Sequence, residues 1–157
     1  MKITALLSTI LASAILLLTG CSSIPAGSLG GIRIVEGRSN ADLKDFTPDR
    51  RKKFEDSLQD ELYDRGGGFV RGDKYTLTWT IAKIDEGSRA LRFWVGMGAG
   101  TSVFNVDVQV TDAQGHLVGK DTVVDFEWRG SDFDNTCEDA GKDTAKAARK
   151  IIMGPRK

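Results

Sequence analysis

Few side chains in this sequence are of a type and spacing that does chemistry. Cys21 ends the run Leu18-Thr19-Gly20-Cys21; a thiol preceded by small residues can be acylated, and a peptidase groove can close on the chain just before it. His116 is the sole histidine and follows the turn glycine Gly115, which places it in solvent. A hydrolase triad or a zinc site needs more than one exposed imidazole. Asp132-x-Asp134-x-Thr136, with Glu138, Asp139 and Asp143, has the flavour of a calcium loop. That frame needs glycine at its sixth position and favours glutamate at its twelfth; here they are Cys137 and Asp143. The expected role of these carboxylates is negative charge at the positive end of a helix. Gly96-x-Gly98-x-Gly100 would cradle a phosphate only between a strand and a helix. A strand follows it instead, so the glycines read as a sharp turn or a close backbone approach. No catalytic residue, metal ligand or cofactor is expected, and the chain is not expected to be an enzyme.

The thiol at Cys21 gains meaning from what precedes it. Lys2 and the chain amine give a positive start, and Ile3 to Leu18 is apolar or small without a charge. That is the build of a secretory signal. Sixteen such residues, diluted by Thr4, Ser8, Thr9 and Ser13, are short for a membrane span. The Leu-Thr-Gly-Cys ending resembles the bacterial lipobox. The expected division is a lipoprotein signal over 1–20, a lipidated Cys21 with a flexible tether over 21–31, and one domain over 32–157. Removing Lys2 leaves 21 basic against 22 acidic residues, a net charge of −1. A near-neutral chain excludes the basic footprint of a nucleic-acid binder. The membrane is the expected partner through the lipid on Cys21. Ser22 in place of an aspartate resembles the outer-membrane sorting pattern, so the protein is expected there, facing the periplasm. The tether Ser22–Gly31 is small, Gly-rich and uncharged; ten residues span at most about 35 Å.

With 157 residues, 40% hydrophobic and 28% charged, the rest has the profile of one folded domain. Ile32 to Glu36 reads as a first strand. Thr47-Pro48 opens a helix with Phe54, Leu58 and Leu62 on one stripe, stopped by Gly66-Gly67-Gly68. Tyr75 to Ile84 and Thr101 to Thr111 alternate as half-buried strands, Asp112 to Gly115 turns, and Leu117 to Trp128 returns. In that return strand Val124, Phe126 and Trp128 share a face, and Lys120-Asp121 marks a bulge. Asn135 and Glu138 suit a capping box for a last helix that Gly154-Pro155 ends. Its small residues Ala140, Thr144 and Ala148 put it close to the sheet. The predicted fold is α+β: a four-stranded, mostly antiparallel sheet with both helices on one face, order βαβββα. Cys137 has no partner left once Cys21 is lipidated, and burial is expected. Arg50-Arg51-Lys52-Lys53 reads as a solvated face paired with its acidic neighbours.

The connection over 85–100 is longer than a hairpin needs. It carries Arg89 and Arg92, then Phe93, Trp94, Val95 and Met97, broken by Gly96, Gly98 and Gly100. Aromatics, methionine and arginine are enriched at contact surfaces. Glu86-Gly-Ser-Arg89-Ala-Leu-Arg92, then Gly96-Met-Gly-Ala-Gly100, a Val-rich strand and an Asp-x-x-Gly turn resemble a family of bacterial envelope lipoproteins known only as a domain of unknown function. The resemblance spans about 32–153, with its specific part at 86–100. It implies an envelope lipoprotein and supplies no catalytic residue. The expected role is a non-enzymatic interaction or structural module with an envelope protein as partner, contacted through Arg89, Arg92, Phe93, Trp94 and Met97. The alternative is a periplasmic small-ligand binder with its pocket at Arg89 and Arg92.

Overall fold

In the computed structural model, which describes residues 25–88, 102–127 and 132–154, five strands form one mixed sheet. β1 (Gly30–Glu36) leads to α1 (Pro48–Gln59) and one π-helical turn (Asp60–Asp64). Then follow β2 (Phe69–Arg71), β3 (Tyr75–Asp85), β4 (Ser102–Asp112), β5 (Leu117–Glu127) and α2 (Phe133–Met153). Across the sheet the order is β2-β1-β3-β4-β5. This corrects the expected four-stranded, mostly antiparallel sheet. β1 runs parallel to both its neighbours, and only β3-β4-β5 is antiparallel. The additional strand is β2. Its three residues are too few to display a period of two.

The parallel pairing follows from the chain path. A strand followed by a helix returns to the sheet parallel to where it left. The chain comes back from α1 as β2 on one side of β1, then crosses to the other side as β3. Ile32 therefore faces Arg71 on one edge and Tyr75 on the other. The crossing is backbone against backbone: a Cβ on Gly31 would stand 2.8 Å from the Gly72 Cα. Only glycine fits there.

Thr47 caps α1, its hydroxyl accepting from the Arg50 amide at 3.4 Å, and Pro48 occupies the first turn. Phe54, Leu58 and Leu62 are buried on their spacing of four, as the sequence predicts. The Phe54 ring meets Trp79 at 4.9 Å and Phe104 at 5.6 Å between centroids. Phe133 of α2 meets the same Phe104 at 6.5 Å, so both helices lie on one face. Ala140, Thr144 and Ala148 are buried as expected. They bring α2 against α1 as well as the sheet. A Cβ on Gly141 would lie 2.3 Å from the Phe54 carbonyl oxygen, so the two helix backbones touch.

Four local expectations are corrected. The tether is not loose throughout: Pro25–Leu29 folds into a turn, and the Leu29 amide donates to the Gly68 carbonyl at 2.9 Å. α2 begins at Phe133 with extended Asp132 at its cap, so Asn135 and Glu138 lie inside the helix. The sheet's irregularities fall between Ile81 and Lys83 and between Gly119 and Leu117, not at Lys120-Asp121. Val124 is exposed on the open face. Asp121, Val123 and Asp125 instead stand opposite the inward residues Val108, Val106 and Phe104. A strand with carboxylates on its inner face hides its alternation. Asp121 pairs there with Lys150 of α2 at 3.3 Å.

Asp125 has a measurable cost. Burial, then Asp143 and Asp139, push its pKa up to about 6, with Lys146 pulling the other way. A carboxyl raised in the folded state favours folding while protonated. Stability therefore falls as pH rises from about 4 to about 6. Partial exposure screens the penalty to about 1 kcal/mol. Asp125→Asn should raise the melting temperature at pH 7 and leave it unchanged near pH 4. Equal gains at both values would remove the titration from the account.

Candidate functional site

The strand register collects distant segments at one end of the sheet. Asp85 lies opposite Val103, and Ser102 opposite Glu127. The first turns of α1 and α2 come to the same end, joined by Arg50 and Asp134. We call this the distal end, because the chain enters the sheet at the other one. There Gly30, the Asp112–His116 turn and the C-terminal turns of both helices gather.

Arg50 is the hub of the distal end. Its Nε donates to Asp134 Oδ1 at 2.9 Å, and its Nη1 to Glu86 Oε2 and to the Asp45 carbonyl, each at 3.0 Å. The guanidinium stacks 4.7 Å above the Phe133 ring. Burial pulls its pKa down, and the bonds to Glu86 and Asp134 more than offset this, so it is raised. Lys53 binds the second oxygen of Asp134 at 2.6 Å. Lys53, then Arg50, hold the Asp134 carboxyl below the usual aspartate range. The Glu86 amide donates to Asp45 Oδ2 at 3.2 Å. One planar fork thus ties the start of α1, the start of α2 and the end of β3 together.

These groups stand at the root of the segment singled out in the sequence. Glu86–Ser88 lead into it and the fully buried Ser102 leads out of it. Arg89, Arg92, Phe93, Trp94, Gly96, Met97, Gly98 and Gly100 lie outside the described residues, as does Cys21. The sequence reading missed Arg50. It sits in a run of four basic residues with nearby acids, which reads as a surface face. Arg51 does follow that reading in part, pairing with Glu55 at 3.8 Å as well as with Glu36 of β1. Lys52 pairs with Asp56 one turn on.

The other candidates resolve simply. His116 is exposed in the turn, with Nδ1 3.2 Å from Asp112 Oδ2. Cys137 is buried, and that burial pushes the thiol up to about 12. Asp134 is taken up by Arg50 and Lys53. Among the described residues no group of three or more His, Cys, Asp or Glu is placed to hold a metal ion. Among them no helix is long and apolar enough to cross a membrane. An open groove of about 620 Å³ runs between α1 and β1, with Arg33, Glu55, Gln59, Tyr63 and Arg71 on its walls. The Tyr63 hydroxyl donates across it to the Ile32 carbonyl at 3.0 Å.

No curated protein matches this sequence. Its fold is similar to that of the PelC dodecamer from Paraburkholderia phytofirmans, with a TM-score of 0.52 and 13% identity over 87% of this chain and 96% of that one. It is also similar to protein XCC0632 from Xanthomonas campestris, of the family DUF330. There the TM-score is 0.51 and the identity 13%, over 82% of this chain and 88% of that one. At such identities the likeness is one of fold. Residues 35–151 match a family in their own right, covering every element from the end of β1 to the last turn of α2. The chain belongs to the family described as domain of unknown function DUF4410.

Proposed function

We propose that this protein is a lipid-anchored lipoprotein of the bacterial envelope, held at the outer membrane through Cys21, and that it works by contact with another envelope protein. The observation that carries the reading is Leu18-Thr19-Gly20-Cys21 closing an apolar run, four residues before the first folded turn at Pro25. The contact half rests on the segment 89–101. Its two arginines, two aromatics and methionine follow a stem that Arg50 fixes through Glu86. A stiff stem lowers the ordering cost of a binding segment.

One experiment reads both halves. Cells are fed a fatty-acid analogue, with a photocrosslinking residue in place of Trp94. The parent protein should carry the acyl label and give a discrete crosslinked species. Cys21→Ser should lose the label and keep its leader uncut. Label retained by Cys21→Ser would overturn the anchor, and absence of any crosslink would overturn the contact surface.

A further inference from the structure

We infer that the tether end of the domain rests on the phospholipid surface, so that the Arg50 end and the stems of 89–101 face away from the membrane. This rests on lipidation at Cys21 and adds an orientation that lipidation alone does not give.

The first argument is chain length. Pro25–Leu29 is folded, with bonds from Ser28 to the Pro25 carbonyl, from Gly30 to the Gly27 carbonyl and from Leu29 to the Gly68 carbonyl. Gly27 also lies against Val70 of β2. Only residues 22–24 then separate Cys21 from the folded domain, a reach of about 14 Å at full extension. The membrane must lie within that distance of Pro25. β1 starts at this end and runs parallel to β3, whose far end carries Glu86. The eleven residues of β4 make the sheet about 34 Å long. A tether of about 14 Å holds the Pro25 end at the surface and leaves the other end free to stand up to a sheet length away, so the surface chemistry of the held end decides the orientation.

The second argument is the surface chemistry of the tether end. Six large hydrophobic side chains are exposed among the described residues, and four stand here. They are Val70 of β2 at 46% exposure, Leu117 and Val118 of β5 at 57% and 41%, and Met153 at the end of α2 at 44%. The register places Val70 and Leu117 at one level. Val70 lies opposite Gly31, and Leu117 opposite Thr111, one residue from the Asp112–Tyr75 pair. Around them stand cations that suit phosphate headgroups: Arg71 stacks on Tyr63, Lys74 on Tyr75, and Arg33 and Arg65 lie beside Asp73 and Asp60. Singly these contacts are weak. On a domain already held at the surface, weak contacts act at high effective concentration and suffice to set its orientation.

The test uses the full lipidated chain in vesicles of phosphatidylethanolamine and phosphatidylglycerol that carry a headgroup spin-label quencher. A fluorophore is placed on Gln114→Cys in the tether-end turn or on Asn40→Cys near the distal end. The buried Cys137 serves as the labelling background. Fatty-acid labelling of the same preparation verifies the anchor. Quenching should be several-fold stronger at position 114 than at 40. Equal quenching, or stronger quenching at 40, with the acyl label present would overturn the orientation and leave the lipoprotein reading standing. Absence of the acyl label would overturn that reading, and the orientation with it.

Discussion

Phe54→Ala should lower the stability of the domain by about 3–5 kcal/mol, as truncation of a buried aromatic does. Phe54 is fully buried, and its ring touches Phe46, Trp79 and Phe104, so one side chain joins α1, the preceding loop and two strands. The size of the loss depends on whether the helices can move in to fill the space. They cannot move far, because the Phe54 carbonyl already stands where a Cβ on Gly141 would be. A cavity that cannot collapse keeps its full cost. Denaturant unfolding of the chain from residue 22 onward measures it. Phe54→Leu, which fills more of the space, should lose less than half as much. A loss under about 1 kcal/mol for Phe54→Ala would show that α1 repacks and that the backbone contact at Gly141 does not hold the helices apart.

The same contact explains why some of this fold was legible in the sequence and some was not. The stripe Phe54, Leu58, Leu62 and the alternation Leu77, Trp79, Ile81 are written in one residue type against another, and periodicity reads them directly. Ala140, Thr144 and Ala148 announced a close approach through their size, but not the partner. β2 is too short for any period, and its pairing comes from the path around Gly31 and Gly72 rather than from local preference. The parallel setting of β1 has the same origin. In β5, Asp121 and Asp125 occupy the inner face. Val124, on the face that the sequence pattern reads as the apolar one, is exposed. Tertiary context set those strands, and no window of the sequence contains it.

The site follows the same division. Cys21, Arg89 and Trp94 are distinctive by type and neighbourhood, so the sequence singles them out. Arg50 is distinctive only by position. Its partners Glu86 and Asp134 lie 36 and 84 residues away, and within its own helix it looks like Arg51, Lys52 and Lys53. What separates it is the apolar floor of Phe133 and the carbonyl of Asp45, both brought there by folding.

That distinction gives the second large effect. Arg50→Ala should destabilise the domain by about 2–3 kcal/mol, somewhat below a fully buried pair because Glu86 and Asp134 retain some contact with water. The variant takes one partner from each of two carboxylates, Glu86 and Asp134, and uncovers the Phe133 ring. Arg50→Lys keeps the charge but has no planar fork to reach both acids and the Asp45 carbonyl, so it should recover only part of the loss. pH supplies the check on cause. Asp134 has a lowered folded pKa, so its contribution is full above the ordinary aspartate range and is lost as pH falls through the folded value. The gap between the parent and Arg50→Ala should therefore be widest near neutrality and shrink on acidification below about pH 4. Lys52, on the same helix, pairs with exposed Asp56, and Lys52→Ala should change stability by less than about 0.5 kcal/mol at any pH. Hydrogen exchange adds the link to the proposed contact surface. With Arg50 gone, the amides of Glu86 and Gly87 should exchange faster while those in the middle of β3 do not. If Arg50→Ala matched Lys52→Ala in stability and exchange, the stem of 89–101 would owe its rigidity to the β3–β4 ladder alone.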